Sequence, residues 1–371
     1  MKVYLLLLVS IICLSLNAQN KCGAKEYTNY LIKQNPQYGI EKEKVNLETK
    51  NWIANRSQQR KSNIITIPVV IHVIWETNVQ NISDAQIFSQ IDVLNADYRR
   101  TNIDQINTPS IWGSIAADCE IEFCLAATDP NGQPTTGIER IQTSHGPFGM
   151  NSDVHTSSAG GADDWPNNDY LNIWVCDIQS GLLGYASSAS NWIGDGDGLV
   201  IGYKYFGTIG TVQAPYNKGR TATHEIGHWL NLEHTWGDNV CGDDMVPDTP
   251  TQQEENYGCP SMPHNANSCG TNNNNGDMFM NYMDYTNDAC MNLFTEGQKT
   301  RMIATINQYR SNMLNHNLCN NPTDLSEITN LNRKVIKIVD VFGTKQQTLK
   351  HNTPLIYIYD DGSVEKIIII E

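Results

Sequence analysis

Three histidines at fixed spacing place the strongest constraint on the fold of this chain. They lie in the segment THEIGHWLNLEH, residues 223–234. His224 and His228 are four residues apart, so in a helix they share one face and can bind one metal ion. His234 follows six residues later, and six steps of about 100° would carry it to the far side of a continuing helix. The helix must therefore end soon after His228, and the chain must turn back.

Glu225, next to the first of these histidines, gives the predicted site its chemistry. Three histidine ligands leave the fourth position of a zinc ion open, as a catalytic zinc site requires. A carboxylate beside that position can hold a water molecule and take its proton during attack on a carbonyl carbon. The pattern therefore predicts hydrolysis by a zinc enzyme. The alternative is a surface helix with incidental histidines, but a chance match to this spacing is rare among nine histidines.

The spacing resembles the metzincin pattern HExxHxxGxxH of zinc proteases, in which a glycine with positive φ forms the turn. Asn231 occupies the glycine position, and asparagine is the next most tolerant residue at positive φ. Met283, 49 residues after His234, matches the metzincin Met-turn beneath the zinc; the alternative is a core methionine. Tyr285 matches a tyrosine that some metzincins direct at the metal to support the oxyanion; the alternative is a packing tyrosine.

A longer match extends the resemblance. The segments HEIGHWLNLEHTWG, DDMVPDTP, YGCP and NYMDY, followed by a cysteine, resemble the pappalysin family of metzincin endopeptidases, specifically bacterial members similar to cytophagalysin and ulilysin. The resemblance spans about residues 62–320 and is strongest over 220–305. It implies an α+β fold: an upper half with a twisted sheet and the active-site helix, and a lower half with the Met-turn and a C-terminal helix. It also implies protein or peptide substrates, often with a basic residue after the cleaved bond.

Apolar runs and helical spacing predict further elements in the same region. Residues 64–75 form an apolar run typical of a buried strand, and residues 83–99 show helical spacing of apolar side chains. Four more strands are predicted over residues 119–127, 138–142, 170–178 and 199–205.

Ten cysteines suggest a framework of disulfides in an exported protein. Removal of Cys13 with a signal peptide leaves nine, so at least one does not pair within the chain. The resemblance implies the pairs Cys241–Cys269 and Cys259–Cys290; the alternative, a second metal site, lacks CxxC spacing. Three connectivities stay open for the other four: Cys119, Cys124, Cys176 and Cys319.

Cys22 lies in a polar segment, residues 20–61, that ends in a basic stretch at 56–61. We interpret this segment as a removable pro-segment. Its sequence KCGAKEY resembles the switch segment of latent pappalysins, which implies that the Cys22 thiolate occupies the open zinc position and displaces the catalytic water. The alternative is an intermolecular or idle thiol.

An acidic loop follows the third histidine and suits calcium, which prefers oxygen ligands. Its oxygen-bearing residues are Asp238, Asp243, Asp244, Asp248 and Thr249. The family resemblance at DMVPDTP implies Asp244 and Thr249, with a backbone carbonyl between them. The predicted calcium ligands are therefore Asp244, Asp248 and Thr249, and the alternative is a solvated acidic loop.

The N-terminal segment has the pattern of a secretory signal peptide. Lys2 precedes an apolar run over residues 3–16, and small and polar residues follow. The run is shorter than the roughly 20 apolar residues that a membrane span needs, so no stable span is predicted. The net charge of −15, from 25 basic and 40 acidic residues, also argues against nucleic acid as a partner.

The C-terminal segment reads as a small β module with short apolar strands over residues 335–342, 355–360 and 364–370. Its ending, DVFGT and NTPLIYIYDDGSVEKIIIIE, resembles the C-terminal sorting domains of type IX secretion in Bacteroidetes. That resemblance implies contact with the secretion machinery and an extracellular or cell-surface location. The alternative is an ordinary β appendage.

Together these features predict four segments: a signal peptide (1–19), a pro-segment (20–61), a metzincin catalytic domain (62–322) and a sorting β module (323–371). The predicted function is a secreted, monomeric zinc endopeptidase made as a latent zymogen. One alternative is an extracellular adhesin that keeps the zinc scaffold without turnover, against which Glu225 argues. Another is a zinc amidase acting on cell-wall peptides, which the Met-turn spacing fits less well.

Overall fold

The computed structural model describes residues 22–55, 64–179, 181–189, 196–315, 318–319, 335–340, 344–345, 354–359 and 364–368. The predicted signal peptide and the basic stretch at 56–61 lie outside the described residues. The chain divides into two compact units, Met1–Cys319 and Asn320–Glu371.

The first unit contains five α-helices and six strands among its described residues. The helices are α1 (Ala24–Gln34), α2 (Gln37–Asn55), α3 (Asp84–Tyr98), α4 (Arg220–Trp229) and α5 (Glu296–Tyr309). The strands are β1 (Ile65–Trp75), β2 (Ile121–Leu125), β3 (Ile138–Gln142), β4 (Leu171–Cys176), β5 (Gly184–Ala186) and β6 (Gly198–Gly202). Most lie close to the predicted elements, whereas α1, α2 and the short β5 were not predicted.

The six strands form one sheet in the order β2-β1-β4-β6-β5, and β3 pairs with the second half of β1. All pairs are parallel except β5, which is antiparallel to β6. Strand β1 is mostly apolar, as expected where both faces of a parallel sheet are covered, and its buried His72 is bonded to Glu139 and Asn172. Pro68 is tolerated because pairing with β4 begins only at Val69, so Pro68 has a partner strand on one side alone.

Two apolar layers cover the sheet. On one face, Ile71 packs in a core with Leu94 of α3 and Ile226 of α4. On the other face, Trp174 packs with Tyr27 of α1. The N-terminal helix α1 therefore contributes to the second core, while α4 packs against the first. This mixed architecture is the predicted α+β fold.

The chain between α4 and α5 has little regular structure beyond short 3₁₀ turns. Disulfides Cys241–Cys269 and Cys259–Cys290 cross-link it, in the pairings that the resemblance implied. Helix α5 begins with a capping box, in which Thr295 and Gln298 each bond the other's backbone.

The other four cysteines form one disulfide, Cys124–Cys319, and leave Cys119 and Cys176 free and buried. The expectation that these four would pair completely was wrong. The reason is geometric: Cys119 lies in the core on the α3–α4 side of the sheet, and Cys176 lies in the core on the other side. The sheet separates the two sulfurs.

The second unit has three described strands: β7 (Val335–Asp340), β8 (Pro354–Tyr359) and β9 (Val364–Ile368). They form an antiparallel sheet in sequence order. Among the described residues of the whole chain, no helix is long and apolar enough to cross a membrane.

Candidate metal centre

Helix α4 ends where the histidine spacing requires a turn. Its last residue is Trp229, and Asn231 adopts the left-handed conformation with φ of 69°. The amide of Leu232 donates to the carbonyl of Gly227 at 2.9 Å, which closes the end of the helix. The chain then reverses and returns His234 to the helix, so Asn231 supplies the bend in place of glycine.

The three histidines converge with a cysteine from the N-terminal segment. His224, His228, His234 and Cys22 are all buried, and one ligand atom from each lies within 4.8 Å of the others. The Nε2 atom of His228 is 3.1 Å from Nε2 of His224 and 3.0 Å from Nε2 of His234. The structure thus brings together the four predicted zinc ligands.

In His224 and His228, the other ring nitrogen, Nδ1, is hydrogen-bonded to a backbone oxygen. The Nδ1 atoms of His224 and His228 lie 2.6 and 2.8 Å from the carbonyls of Tyr282 and Leu232. A carbonyl only accepts, so each Nδ1 donates and each Nε2 presents a lone pair. Two such lone pairs about 3 Å apart repel each other, so a cation bound between the rings would stabilise the cluster.

A carboxylate orients the third ring. Nδ1 of His234 lies 2.6 Å from Oδ1 of Asp238, which is the carboxylate–histidine arrangement common beside zinc. Sequence reasoning placed Asp238 in the calcium loop; its distance of four residues from His234 was the available signal. Three imidazoles and one thiol suit Zn²⁺, so the residues present fit this ion.

Glu225 lies beside the cluster and is fully buried. Its Oε2 is 3.4 Å from Sγ of Cys22, and its Oε1 has no hydrogen-bond partner among the described residues. Burial raises the pKa of Glu225 to about 8, and the bond from Cys22 opposes that rise. Burial, followed by the Glu225 charge, also raises the pKa of Cys22. A thiolate here therefore needs a positive ion next to it.

Met283 packs beneath the histidines. A Cβ atom at Gly227, inside the HEIGH segment, would lie only 2.4 Å from Sδ of Met283. Gly227 is thus needed for the Met-turn to approach α4, a requirement that the sequence analysis missed. Tyr285 packs edge-on against the ring of His234, with centroids 4.9 Å apart, and its hydroxyl donates to the Cys22 carbonyl at 3.3 Å.

The N-terminal segment, residues 22–55, contacts the rest of the first unit at two places. Near the metal centre, Cys22 bridges Gly184 of β5 in a parallel pairing, and the Gly23 amide donates to the Gly184 carbonyl at 2.9 Å. Farther along, α2 packs on α5 and the bend. Its contacts are Lys42 with Glu233, Asn46 with Arg301, Glu48 with Tyr309, and Thr49 with Asn231.

The acidic loop does not gather its carboxylates at one point. Asp244 accepts from the Thr249 hydroxyl at 2.7 Å, and that hydroxyl also lies 2.8 Å from the Val246 carbonyl. Asp248 instead accepts from the Thr295 hydroxyl at 2.7 Å and the Gly297 amide at 2.8 Å, at the start of α5. The structure therefore brings Asp244 and Thr249 together and directs Asp248 elsewhere.

Comparison with known proteins decides the family. A family model described as pregnancy-associated plasma protein-A, for the M43 peptidases, matches residues 155–307. An extracellular metalloprotease of Arthroderma benhamiae is 30% identical over 255 residues, which cover 67% of this chain and 79% of the relative. The chain belongs to the M43 peptidase family. A Pyricularia oryzae extracellular metalloprotease is 28% identical to this M43 peptidase over 311 residues, covering 81% of this chain and 94% of that protein.

Solved structures of mirolysin from Tannerella forsythia extend the similarity. A promirolysin mutant is 47% identical to this M43 peptidase, with a TM-score of 0.71, and covers 79% of this chain and 97% of its own. Mature mirolysin with a cleaved peptide is 50% identical, with a TM-score of 0.65, and covers 68% of this chain and 97% of its own. This M43 peptidase is therefore a secreted zinc metalloendopeptidase with the metzincin fold and a zymogen form.

Proposed function

We propose that His224, His228 and His234 hold the zinc and that Glu225 is the general base of peptide hydrolysis. The observation that carries this proposal is the convergence of three Nε2 lone pairs beside a buried carboxylate, one oxygen of which lacks a hydrogen-bond partner among the described residues. When bound, zinc supplies Lewis acidity that polarises the substrate carbonyl and acidifies water.

Glu225 moves the proton in this proposal. Its carboxylate accepts a proton from the attacking water as the new C–O bond forms. It then donates that proton to the amide nitrogen as the C–N bond breaks, which yields a carboxylic acid and an amine. Tyr285 is placed to donate to the developing oxyanion once its hydroxyl is released from the Cys22 carbonyl. Met283 and Asn231 support the centre through packing and the bend.

Latency follows from the position of Cys22. Its thiolate would take the fourth zinc position, and its contact with Glu225 occupies the base. Removal of the pro-segment, residues 20–61, would release the catalytic domain, residues 62–322. Cleavage in the basic stretch at 56–61 stays a prediction.

A cleft beside Glu225 is lined by Cys22, His224 and Tyr285, among others. A preference for a basic residue after the cleaved bond is proposed from the family resemblance alone. Peptides of the kind seen bound to mature mirolysin are therefore the proposed substrates, and the protein acts as a monomer.

Two further assignments complete the proposal. Asp244, Thr249 and the Val246 carbonyl are proposed to bind one calcium ion, because their oxygens lie together and the Asp244 carboxylate is buried. Residues 323–371 are proposed as a type IX sorting module that contacts the secretion machinery and permits association with the cell surface. The predicted signal peptide, residues 1–19, would direct the first export step.

The test is the Glu225→Gln variant, matured with an added protease. We expect about one zinc per chain, because no ligand is lost, and a fall in peptide cleavage of about 10²–10⁴-fold, because the base is lost. Zinc by mass spectrometry and cleavage of a fluorogenic peptide are the measurements. Full activity would overturn the mechanism, and absence of turnover in the wild type would favour a binding protein.

A further inference from the structure

Asp97, near the end of α3, is buried at the junction of three elements without touching a zinc ligand. Its carboxylate accepts four hydrogen bonds. Oδ1 accepts from Nη2 of Arg220 at 3.0 Å and from the Tyr282 hydroxyl at 2.9 Å. Oδ2 accepts from Nε of Arg220 at 3.0 Å and from the Thr223 hydroxyl at 2.8 Å. Both oxygens are thus fully used.

Two of these partners lie on either side of His224. Thr223 precedes His224 in α4, so its hydroxyl bond fixes the backbone from which the ligand projects. Tyr282 precedes the Met-turn methionine, and its carbonyl accepts the Nδ1 proton of His224 at 2.6 Å. One carboxylate therefore holds both the backbone of the ligand and the group that orients its ring.

Arg220 makes this arrangement rigid. It begins α4, is only 6% exposed, and forms ion pairs with both Asp97 and Asp104. Its guanidinium also lies 5.8 Å from the centre of the Tyr282 ring. A buried carboxylate with an arginine and two hydroxyl donors keeps a single geometry, because any movement would leave a buried polar group unsatisfied.

We propose that Asp97 is a positioning residue for the zinc centre: through Tyr282 and Thr223 it sets the direction and tautomer of the His224 imidazole. This inference rests on the proposed assignment of His224 as a zinc ligand. Residues that orient a ligating histidine commonly change metal affinity by about 10–100-fold when replaced. A merely structural role for Asp97 would change stability and leave the affinity of the folded protein unaltered.

The experiment compares Asp97→Asn, Tyr282→Phe and a matched control, Asp197→Asn. Asp197 is also a buried carboxylate paired with an arginine, Arg310, at 2.6 Å, and that arginine reaches the opposite end of α4 at Trp229. All variants are made in the full chain carrying Glu225→Gln, which prevents self-cleavage. Zinc affinity is measured by competition with a chelator well below the melting temperature, and melting temperature is measured separately.

We expect zinc affinity to fall about 10–100-fold for Asp97→Asn and about 10-fold for Tyr282→Phe, and to change less than threefold for Asp197→Asn. Cobalt-loaded protein should show a shifted visible spectrum in the first two variants only, since that spectrum reports ligand geometry.

Lower melting temperatures with unaltered zinc affinity and cobalt spectra would overturn the positioning role. If Asp97→Asn does not fold, Tyr282→Phe decides the question, because it removes one hydroxyl. Failure of the parent chain to bind zinc would instead refute the proposed zinc centre.

Discussion

The proposed zinc centre and the acidic loop that follows it both contain residues of types that commonly bind metals, but they differ in how those side chains are oriented. In the centre, Nδ1 of each histidine is hydrogen-bonded to an oxygen, and this orients the three Nε2 atoms toward one another. In the loop, Asp238, Asp244 and Asp248 bond to three different partners. Residues of metal-binding type form a site only where the backbone brings their side chains to one point. Helix α4 and the bend at Asn231 do this for the three histidines.

The largest effect should come from removing a ligand at the converged centre. We expect His234→Ala to lower zinc content well below one per chain and to abolish peptide cleavage, because two histidines do not retain zinc as three do. The control is His145→Ala, an exposed histidine outside the cluster, which should keep both. Normal zinc content in His234→Ala would show that the bend does not deliver the third ligand.

The next effect concerns the thiol that completes the centre. Cys22→Ala should mature earlier than the wild type, because the fourth zinc position regains water while the histidines keep the metal. Cys176→Ala is the control, since Cys176 is also a free, buried cysteine but lies in the sheet core. The readout is a time course on gels with N-terminal sequencing. Identical maturation of Cys22→Ala and the wild type would reduce Cys22 to an incidental thiol.

The same contrast explains what the sequence could predict. Spacing of four along a helix, followed by a residue that tolerates positive φ, was sufficient to predict the histidine cluster and the bend at Asn231. The long apolar run predicted β1. Contacts between distant segments left no local pattern: the separation of Cys119 from Cys176 by the sheet, and the packing of α2 on α5, depend on the whole topology.

A smaller effect should come from Asp238, which links the two regions. We expect Asp238→Asn to weaken zinc binding about 10-fold, because a neutral amide orients the His234 ring less strongly than a carboxylate. Asp244→Asn should leave zinc affinity unchanged, since within the described part of the chain Asp244 bonds to Val246 and Thr249 rather than to a histidine of the cluster. Chelator competition measures both. Equal zinc affinities for the two variants would mean that Asp238 does not orient the His234 ring for zinc binding.

The smallest effect concerns calcium, and it separates the two carboxylates that sequence analysis grouped. Calcium should raise the melting temperature of the wild type by a few degrees, and Asp244→Asn should abolish that increase, because calcium binds the folded state through this carboxylate. Asp248→Ala should lower the melting temperature equally with and without calcium, because it removes bonds at the start of α5. A calcium response lost only in Asp248→Ala would reverse the assignment.

The pH dependence provides a second measurement of the same site. Burial raises the pKa of Asp244 from 3.8 to about 7, so the Asp244 carboxyl group binds its proton more tightly in the folded protein than in the unfolded chain. The protonated carboxyl group therefore contributes stability in full below about pH 4, and this contribution is lost as the pH rises toward 7. Without calcium, the melting temperature of the wild type should fall over this window more than that of Asp244→Asn. Saturating calcium should remove the difference, because the ion stabilises the carboxylate; a difference that persists in calcium would place the ion elsewhere.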